Sequence, residues 1–271
     1  MKRFVYFLSE GTGSPSEQLW ESIVYGRIEG AESACDVSLG PALASLPTDI
    51  MGGVTETLKD VLGSIVTERK KPRVEEGRDI VSSIMKGLRQ EGMLIDRLIR
   101  LQGHDDYTVT HSLNVCILVV GQATRLGLPE NRIREAGLAA MLHDIGKETT
   151  SSEIQTKPGR LEMSEFDLMK GHPVAGAKLL RKIDCGTELP MIVSFEHHIK
   201  YDRTGYPKVR SREPLHVVSY MTQIADVYDA LRSHRPYRAS IELEKTLSIM
   251  KEGRGTEFEP RLFDDFVEIL S

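Results

Sequence analysis

The sequence predicts an all-α protein, and three observations carry that prediction. Apolar residues recur at helical spacing through most of the chain from Met51 onward, the patterns are separated by short loops, and no stretch alternates with period two long enough to make a central strand. The expected organisation is an irregular N-terminal segment over residues 1–50, a helical hairpin or arm over 51–103, and a main helical domain over 104–271.

In chain order, Phe4 to Leu8 fit a short strand ended by Gly11-Thr-Gly-Ser-Pro15, and from there to Pro47 no period is sustained. The arm begins with Val54, Leu58, Val61, Leu62 and Ile65 at helical spacing, stopping in Glu68-Arg-Lys-Lys-Pro72. Its second helix carries Ile80, Ile84 and Leu88, then Leu94, Leu98 and Leu101. The pair reads as an α-hairpin packed on the main domain, with a dimerising or signal-relaying arm as the sharper alternative. Further helices are expected over Val109 to Leu126, Glu130 to Leu142, Met163 to Arg181, Pro190 to His198, Val217 to Leu231, Glu242 to Met250 and Pro260 to Leu270.

Composition bounds what such a bundle does. A net charge of -5 with 28% charged residues lacks the basic surface that a DNA or RNA polymer demands, although a local basic pocket remains compatible with it. Cys35, Cys116 and Cys185 are widely spaced and form no CxxC pair, so neither a disulfide framework nor a zinc knuckle is expected, and a reducing cytoplasm fits. The apolar run near the start is too short for a signal peptide, and the run around Val115 to Val120 falls far short of the roughly 20 residues that span a bilayer. No membrane partner is expected.

The chemistry gathers around Met141-Leu-His-Asp-Ile-Gly-Lys147. His143 and Asp144 offer an imidazole and a carboxylate from consecutive positions, a pairing better suited to a metal than to an apolar core, and Lys147 follows one turn after Asp144. One histidine on an apolar face is usually a hydrogen-bonded core residue. Five of the eight, His111, His143, His172, His197 and His198, lie on or at the ends of predicted helices among apolar neighbours. Together with Asp144 and Asp226 they are hard to explain as core residues, because each buried imidazole needs a partner. Seven nitrogen and oxygen ligands match two adjacent transition-metal ions with a bridging carboxylate. Ligation by His and Asp without thiolate points to iron, manganese, zinc or nickel, and two such ions suit hydrolysis of a phosphate ester.

His111, the His143-Asp144 pair and Asp226 resemble the H…HD…D signature of the HD phosphohydrolase superfamily. Gly205-Tyr206-Pro207 after His197-His198, and Asp226-Val-Tyr-Asp-Ala-Leu-Arg-Ser-His-Arg-Pro-Tyr-Arg238, resemble its HD-GYP subfamily of cyclic di-GMP phosphodiesterases. Tyr107-Thr-Val-Thr-His-Ser-Leu-Asn114, Lys157-Pro-Gly159, Met169-Lys-Gly-His172 and Gly255-Thr-Glu-Phe-Glu-Pro260 extend the likeness from about Asp106 to the C-terminus.

The resemblance implies an HD-type helical bundle and a metal-dependent phosphodiesterase that opens cyclic di-GMP to linear pGpG or, beyond it, GMP. It implies two divalent ions, iron or manganese first and zinc or nickel as alternatives. His111, His143, Asp144 and Asp226 match the ligands of one ion; Asp144 bridges to a second, completed by His172, His197 and His198. Lys147 matches the lysine that contacts the scissile phosphate and protonates the leaving oxygen. Tyr206, Asp229, Arg235 and Arg238, with Lys157, match positions that hold the dinucleotide. Asp226 and Asp229 share a helical face at i, i+3, one available to metal and one to a guanine edge. Arg235 and Arg238 offer planar forks to a phosphate or a guanine. The contrasting reading is a weakly active or inactive cyclic-dinucleotide-binding signalling module that keeps its metals and relays through residues 51–101; a nucleotidase acting on mononucleotides is disfavoured by the GYP triplet.

The chain also departs from the family pattern. Ile199 stands where many members carry a Glu after the double histidine, Asp202-Arg203 stands for Asp-Gly, and Glu148-Thr-Thr-Ser151 replaces an Ile-Pro segment. Tyr107 occupies the position of a metal-binding Glu in members with three ions, so two ions are expected. Charge alone predicts that Arg203 attracts a dianionic dinucleotide, and loss of Gly predicts a stiffer loop.

Overall fold

The computed structural model describes residues 48–67, 73–91, 107–155, 157, 159–210, 213–233 and 240–270. Within these residues the protein is helical and has no strand; its only β-type pairings are isolated bridges between Ile199 and Gly205 and between Arg254 and Phe258. Two helices come from the expected arm, α1 (Thr48–Thr67) and α2 (Val74–Glu91). The main body follows as α3 (Tyr107–Arg125), α4 (Glu130–Met141), a 3₁₀ turn (Ile145–Thr149), α5 (Ser152–Gln155), α6 (Met163–Met169), α7 (His172–Arg181), α8 (Leu189–Glu196), α9 (Val217–Arg232), α10 (Leu243–Lys251) and α11 (Pro260–Leu270). The proposed strand over Phe4 to Leu8 and the Leu94 to Leu101 end of the arm lie outside the described residues.

α3 is the central rod. Leu113 and every residue from Val115 to Val120 are buried, so it is apolar on all sides and must be enclosed by other helices. α4, α9, α11 and the arm helices pack around it. Leu58, Val61 and Ile65 of α1 and Val81 and Met85 of α2 enter the same core as Leu138 and Met141 of α4. The apolar stripe of the arm is thus used in packing on the body. No helix among the described residues is long and apolar enough to cross a membrane.

The single helix expected over Met163 to Arg181 is two helices, α6 and α7. Pro173 explains the break: its ring conflicts with the carbonyl four residues earlier, that of Met169, and it has no N–H to donate. Nδ1 of His172 donates to that carbonyl instead, at 2.8 Å. The interruption therefore places a histidine at the start of α7.

Candidate metal centre

Five elements deliver the predicted ligands to one place. His111 comes from the start of α3, His143 and Asp144 from the turn leaving α4, His172 from the start of α7, His197 and His198 from the end of α8, and Asp226 from the middle of α9. All lie at helix ends except Asp226, so short turns set most of the positions.

The tightest constraint is a backbone contact beside Asp144. A Cβ on Gly146 would lie 2.0 Å from the carbonyl oxygen of His172 and 2.4 Å from the nitrogen of Gly176, and one on Gly176 would lie 2.3 Å from Oγ of Ser194. Only hydrogen fits at both positions, and the 3₁₀ turn therefore rests directly on α7. This contact holds the His143-Asp144 pair against His172.

Asp144 is the centre of the cluster. Its Oδ2 lies 3.5 Å from Nε2 of His111 and 3.4 Å from Nε2 of His143, and it accepts a bond from the Lys147 ammonium. Its Oδ1 faces Nε2 of His172 at 3.1 Å and Nε2 of His197 at 3.6 Å. Asp226 reaches Nε2 of His111 at 3.2 Å and Nδ1 of His198 at 4.0 Å. Two groups able to hold an ion result, Asp144 with His111 and His143, and Asp144 with His172, His197 and His198.

The ring orientations fit a cation. Nδ1 of His143 donates to the carbonyl of Ala140 at 2.7 Å, and Nδ1 of His197 to the carbonyls of Val193 and Ser194 at 3.1 and 2.9 Å. With His172 bonded to Met169 in the same way, three Nε2 lone pairs are turned inward. Nε2 of His172 and of His197 lie 3.2 Å apart, a spacing of neighbouring ligands on one ion with bonds of about 2.0–2.1 Å. Nε2 of His143 and Oδ1 of Asp144 are each buried without a hydrogen-bond partner, a costly state that a bound cation removes.

Electrostatics separates the two groups. Burial opposes ionisation of Asp144, but the Lys147 ammonium and the His143 and His111 imidazoles outweigh it and hold the carboxyl well below its usual range. Asp226 is likewise lowered by His111 against the effect of burial. Burial also disfavours charge on His111, yet bonds to Asp144, Asp226 and Asp229 raise its pKa well above the ordinary value. His172 is lowered by burial despite Asp144, and His198 is lowered strongly by burial and by the neighbouring His197.

The predicted substrate residues fare unevenly. Tyr206 does sit over the cluster: its ring lies 4.6 Å from that of His198, tilted by 36°, and 6.3 Å from that of His172. Gly205, at φ 84° with its α-carbon tight against the carbonyl of His198, makes the turn that puts it there. Burial pushes the Tyr206 hydroxyl pKa up, so the phenol stays protonated. Lys157 is engaged elsewhere, its ammonium held by both oxygens of Glu165 at 2.7 and 2.6 Å. Arg235 and Arg238 lie outside the described residues, as does the side chain of Tyr107.

Asp229 is a correction. It has no solvent exposure, its Oδ2 takes the Nδ1 proton of His111 at 2.7 Å, and its Oδ1 accepts from Nδ2 of Asn114 at 2.6 Å. A carboxylate so enclosed has no path to a guanine edge; it orients a histidine. Asn114 was not singled out by the sequence, though it lies three residues after His111 on the same helix face. Glu196 was missed as well: buried just before the double histidine, its Oε2 accepts from the backbone N–H of His216 and from Oγ of Ser219, both at 2.8 Å. It fastens the end of α8 to the start of α9, and a buried Glu next to two ligands was the available signal.

The departures from the family pattern also find places. Ile199 is buried in the core, a role for which its apolar side chain suits it. Arg203 adopts φ 70°, the left-handed region in which Gly is at ease, and its guanidinium donates to the carbonyl of Glu213. That bond anchors one loop to another, and the expected attraction to substrate is not what occupies this cation.

Comparisons with known proteins place the chain in a family. The sequence matches the HD domain family over residues 93–262. It is 38% identical over 194 residues to the cyclic di-GMP phosphodiesterase PA4108 of Pseudomonas aeruginosa, covering 71% of this chain and 46% of that protein. It is 33% identical over 157 residues to the 3'3'-cGAMP-specific phosphodiesterase 3 of Vibrio cholerae, covering 58% of this chain and 34% of the relative. The chain thus spans less than half the length of these curated relatives. The fold is similar to that of Bd1817, an HDGYP protein from Bdellovibrio bacteriovorus, with a TM-score of 0.67 at 16% identity over 82% of this chain and 71% of that one. The family match takes in all the clustered histidines and aspartates, and the chain belongs to the HD domain family.

Proposed function

We propose that the protein is a metal-dependent phosphodiesterase of cyclic di-GMP, holding two divalent ions through the seven ligands and acting in the cytoplasm. The observation that carries this reading is that Nε2 of His143 and Oδ1 of Asp144 are each buried without a hydrogen-bond partner, in a cluster where the His172 and His197 rings also turn Nε2 lone pairs inward. His111, His143, Asp144 and Asp226 hold one ion, and Asp144, His172, His197 and His198 the other; iron or manganese suits this set of imidazoles and carboxylates. When bound, the ions polarise the phosphoryl oxygens and make water acidic enough to supply hydroxide near neutral pH.

The chain's own residues do the rest. Lys147 is a quarter exposed, with its ammonium beside Asp144, and so stands where a phosphate entering the cluster would meet it. It neutralises charge on the phosphate and gives a proton to the ribose oxygen as the P–O bond breaks, while the water oxygen becomes part of the product phosphomonoester. Tyr206, protonated and packed on His198, lines the approach. Arg235 and Arg238 bind the far phosphate or a base edge. The reading is supported by relatives that carry a cyclic-dinucleotide phosphodiesterase name.

The test is direct. Protein reconstituted with Fe(II) or Mn(II) is incubated with cyclic di-GMP, and the products are separated by chromatography. Appearance of pGpG or GMP is expected, with loss on chelation; binding without any product under either metal would favour a sensing module.

A further inference from the structure

We propose that Phe166 is a nucleobase-stacking platform at the edge of the site and contributes to the choice of substrate, an inference that rests on the cyclic-dinucleotide reading above. α6 turns apolar side chains outward: Met163, Phe166 and Leu168 are 85%, 44% and 63% exposed. Met163 and Phe166, three residues apart, share one face of the helix, and Leu168 lies on another. Of the three, Phe166 is joined to the metal centre. Its ring meets that of Tyr206 edge to face at 6.5 Å, and Tyr206 lies in turn on His198. The helix itself is tied to the ligands, since its last residue, Met169, accepts the Nδ1 bond of His172.

Two ring contacts therefore lead outward from the cluster to Phe166, and a nucleotide makes the same journey from its phosphate across the sugar to its base. The Lys170 ammonium, paired with Asp167, lies over the Phe166 ring at 4.5 Å. A base stacked on this ring takes the face opposite the ammonium, and such stacking accepts either purine.

Stacking on an aromatic side chain is commonly worth about five- to 150-fold per base when the ring is removed. Metal-reconstituted Phe166→Ala is expected to raise KM for cyclic di-GMP about tenfold, with metal content and melting temperature at the wild-type level. Its preference for cyclic di-GMP over methyl p-nitrophenyl phosphate, a diester without a base, should fall by the same factor. Phe166→Trp should restore KM and show quenched indole emission when cyclic di-GMP is added, a readout that needs no turnover. A wild-type KM in the Ala variant, an indole that ignores the nucleotide, or loss of metal with the Ala substitution overturns the assignment. If the wild-type protein cleaves methyl p-nitrophenyl phosphate and neither binds nor cleaves cyclic di-GMP, the substrate reading itself fails and takes the platform with it.

Discussion

Nδ1 of His111 donates to Oδ2 of Asp229 at 2.7 Å, and this bond decides which nitrogen of the ring faces the cluster. Groups that orient a ligand typically contribute about ten- to a hundredfold in metal affinity. Asp229→Ala should therefore weaken ion binding by roughly that factor, leaving KM for cyclic di-GMP unchanged at saturating metal. Competition with a chelator and steady-state kinetics measure the two quantities. A raised KM with normal ion affinity would return Asp229 to the substrate.

Asp144 and Lys147 are bonded to each other yet should fail differently. Asp144→Ala removes the carboxylate that faces both groups of imidazoles, so elemental analysis should find both ions depleted and activity abolished. Lys147→Ala leaves every ligand in place. Its metal content should stay at the wild-type value while kcat falls about a hundredfold or more, the usual worth of a charged contact made in the transition state. Metal loss in step with activity loss would make Lys147 a structural cation.

Metal uptake should be more strongly pH dependent in one group than in the other. The raised pKa of His111 means that near neutral pH the metal-free protein carries a proton on this ring, and an ion must displace it. Affinity of the first group therefore rises with pH until the raised pKa is passed. His172 and His198, whose pKa values are lowered, are already neutral there, so these two ligands gain nothing from a rise above pH 7. Calorimetric titration in buffers of different ionisation enthalpy counts the protons, with more released on filling the first group than on filling the second. Equal release from both would contradict the assignment.

Arg203→Gly tests whether the loop cation serves stability or substrate. Glycine relieves a left-handed conformation that costs other residues about 1–2 kcal/mol, while the bond to Glu213 is lost and the unfolded chain gains freedom. These opposing changes nearly cancel, so the melting temperature should move by only about 5 °C or less. Affinity for cyclic di-GMP should show the same salt dependence as the wild type. Weaker binding confined to low salt would place the guanidinium on the substrate after all.

The helical class and the gathering of His and Asp residues into one cluster were legible in the sequence because each is written in residue type and spacing. Val115 to Val120 announce a buried rod, and the paired His143-Asp144 announces a charge that a core does not tolerate. The break between α6 and α7 was equally written, in Pro173, and was obscured by apolar periodicity continuing on both sides. Asp229 was misread for a different reason. Its i, i+3 relation to Asp226 fixes a shared helix face, but sequence does not say that both carboxylates converge on one imidazole 115 or more positions away. The relation of Asn114 and Glu196 to their partners is likewise long-range, and only packing reveals it.

The glycine contact between the 3₁₀ turn and α7 bears on which ion the protein accepts. Because Gly146 and Gly176 meet main chain to main chain, the backbones that carry Asp144 and His172 are held at a fixed separation. Ions of different radius must then adapt to a rigid seat. Selection among divalent metals becomes a matter of size at this edge of the centre, and enlarging Gly146 to alanine, which drives a Cβ into the main chain of His172, should displace that ligand and alter the preference together.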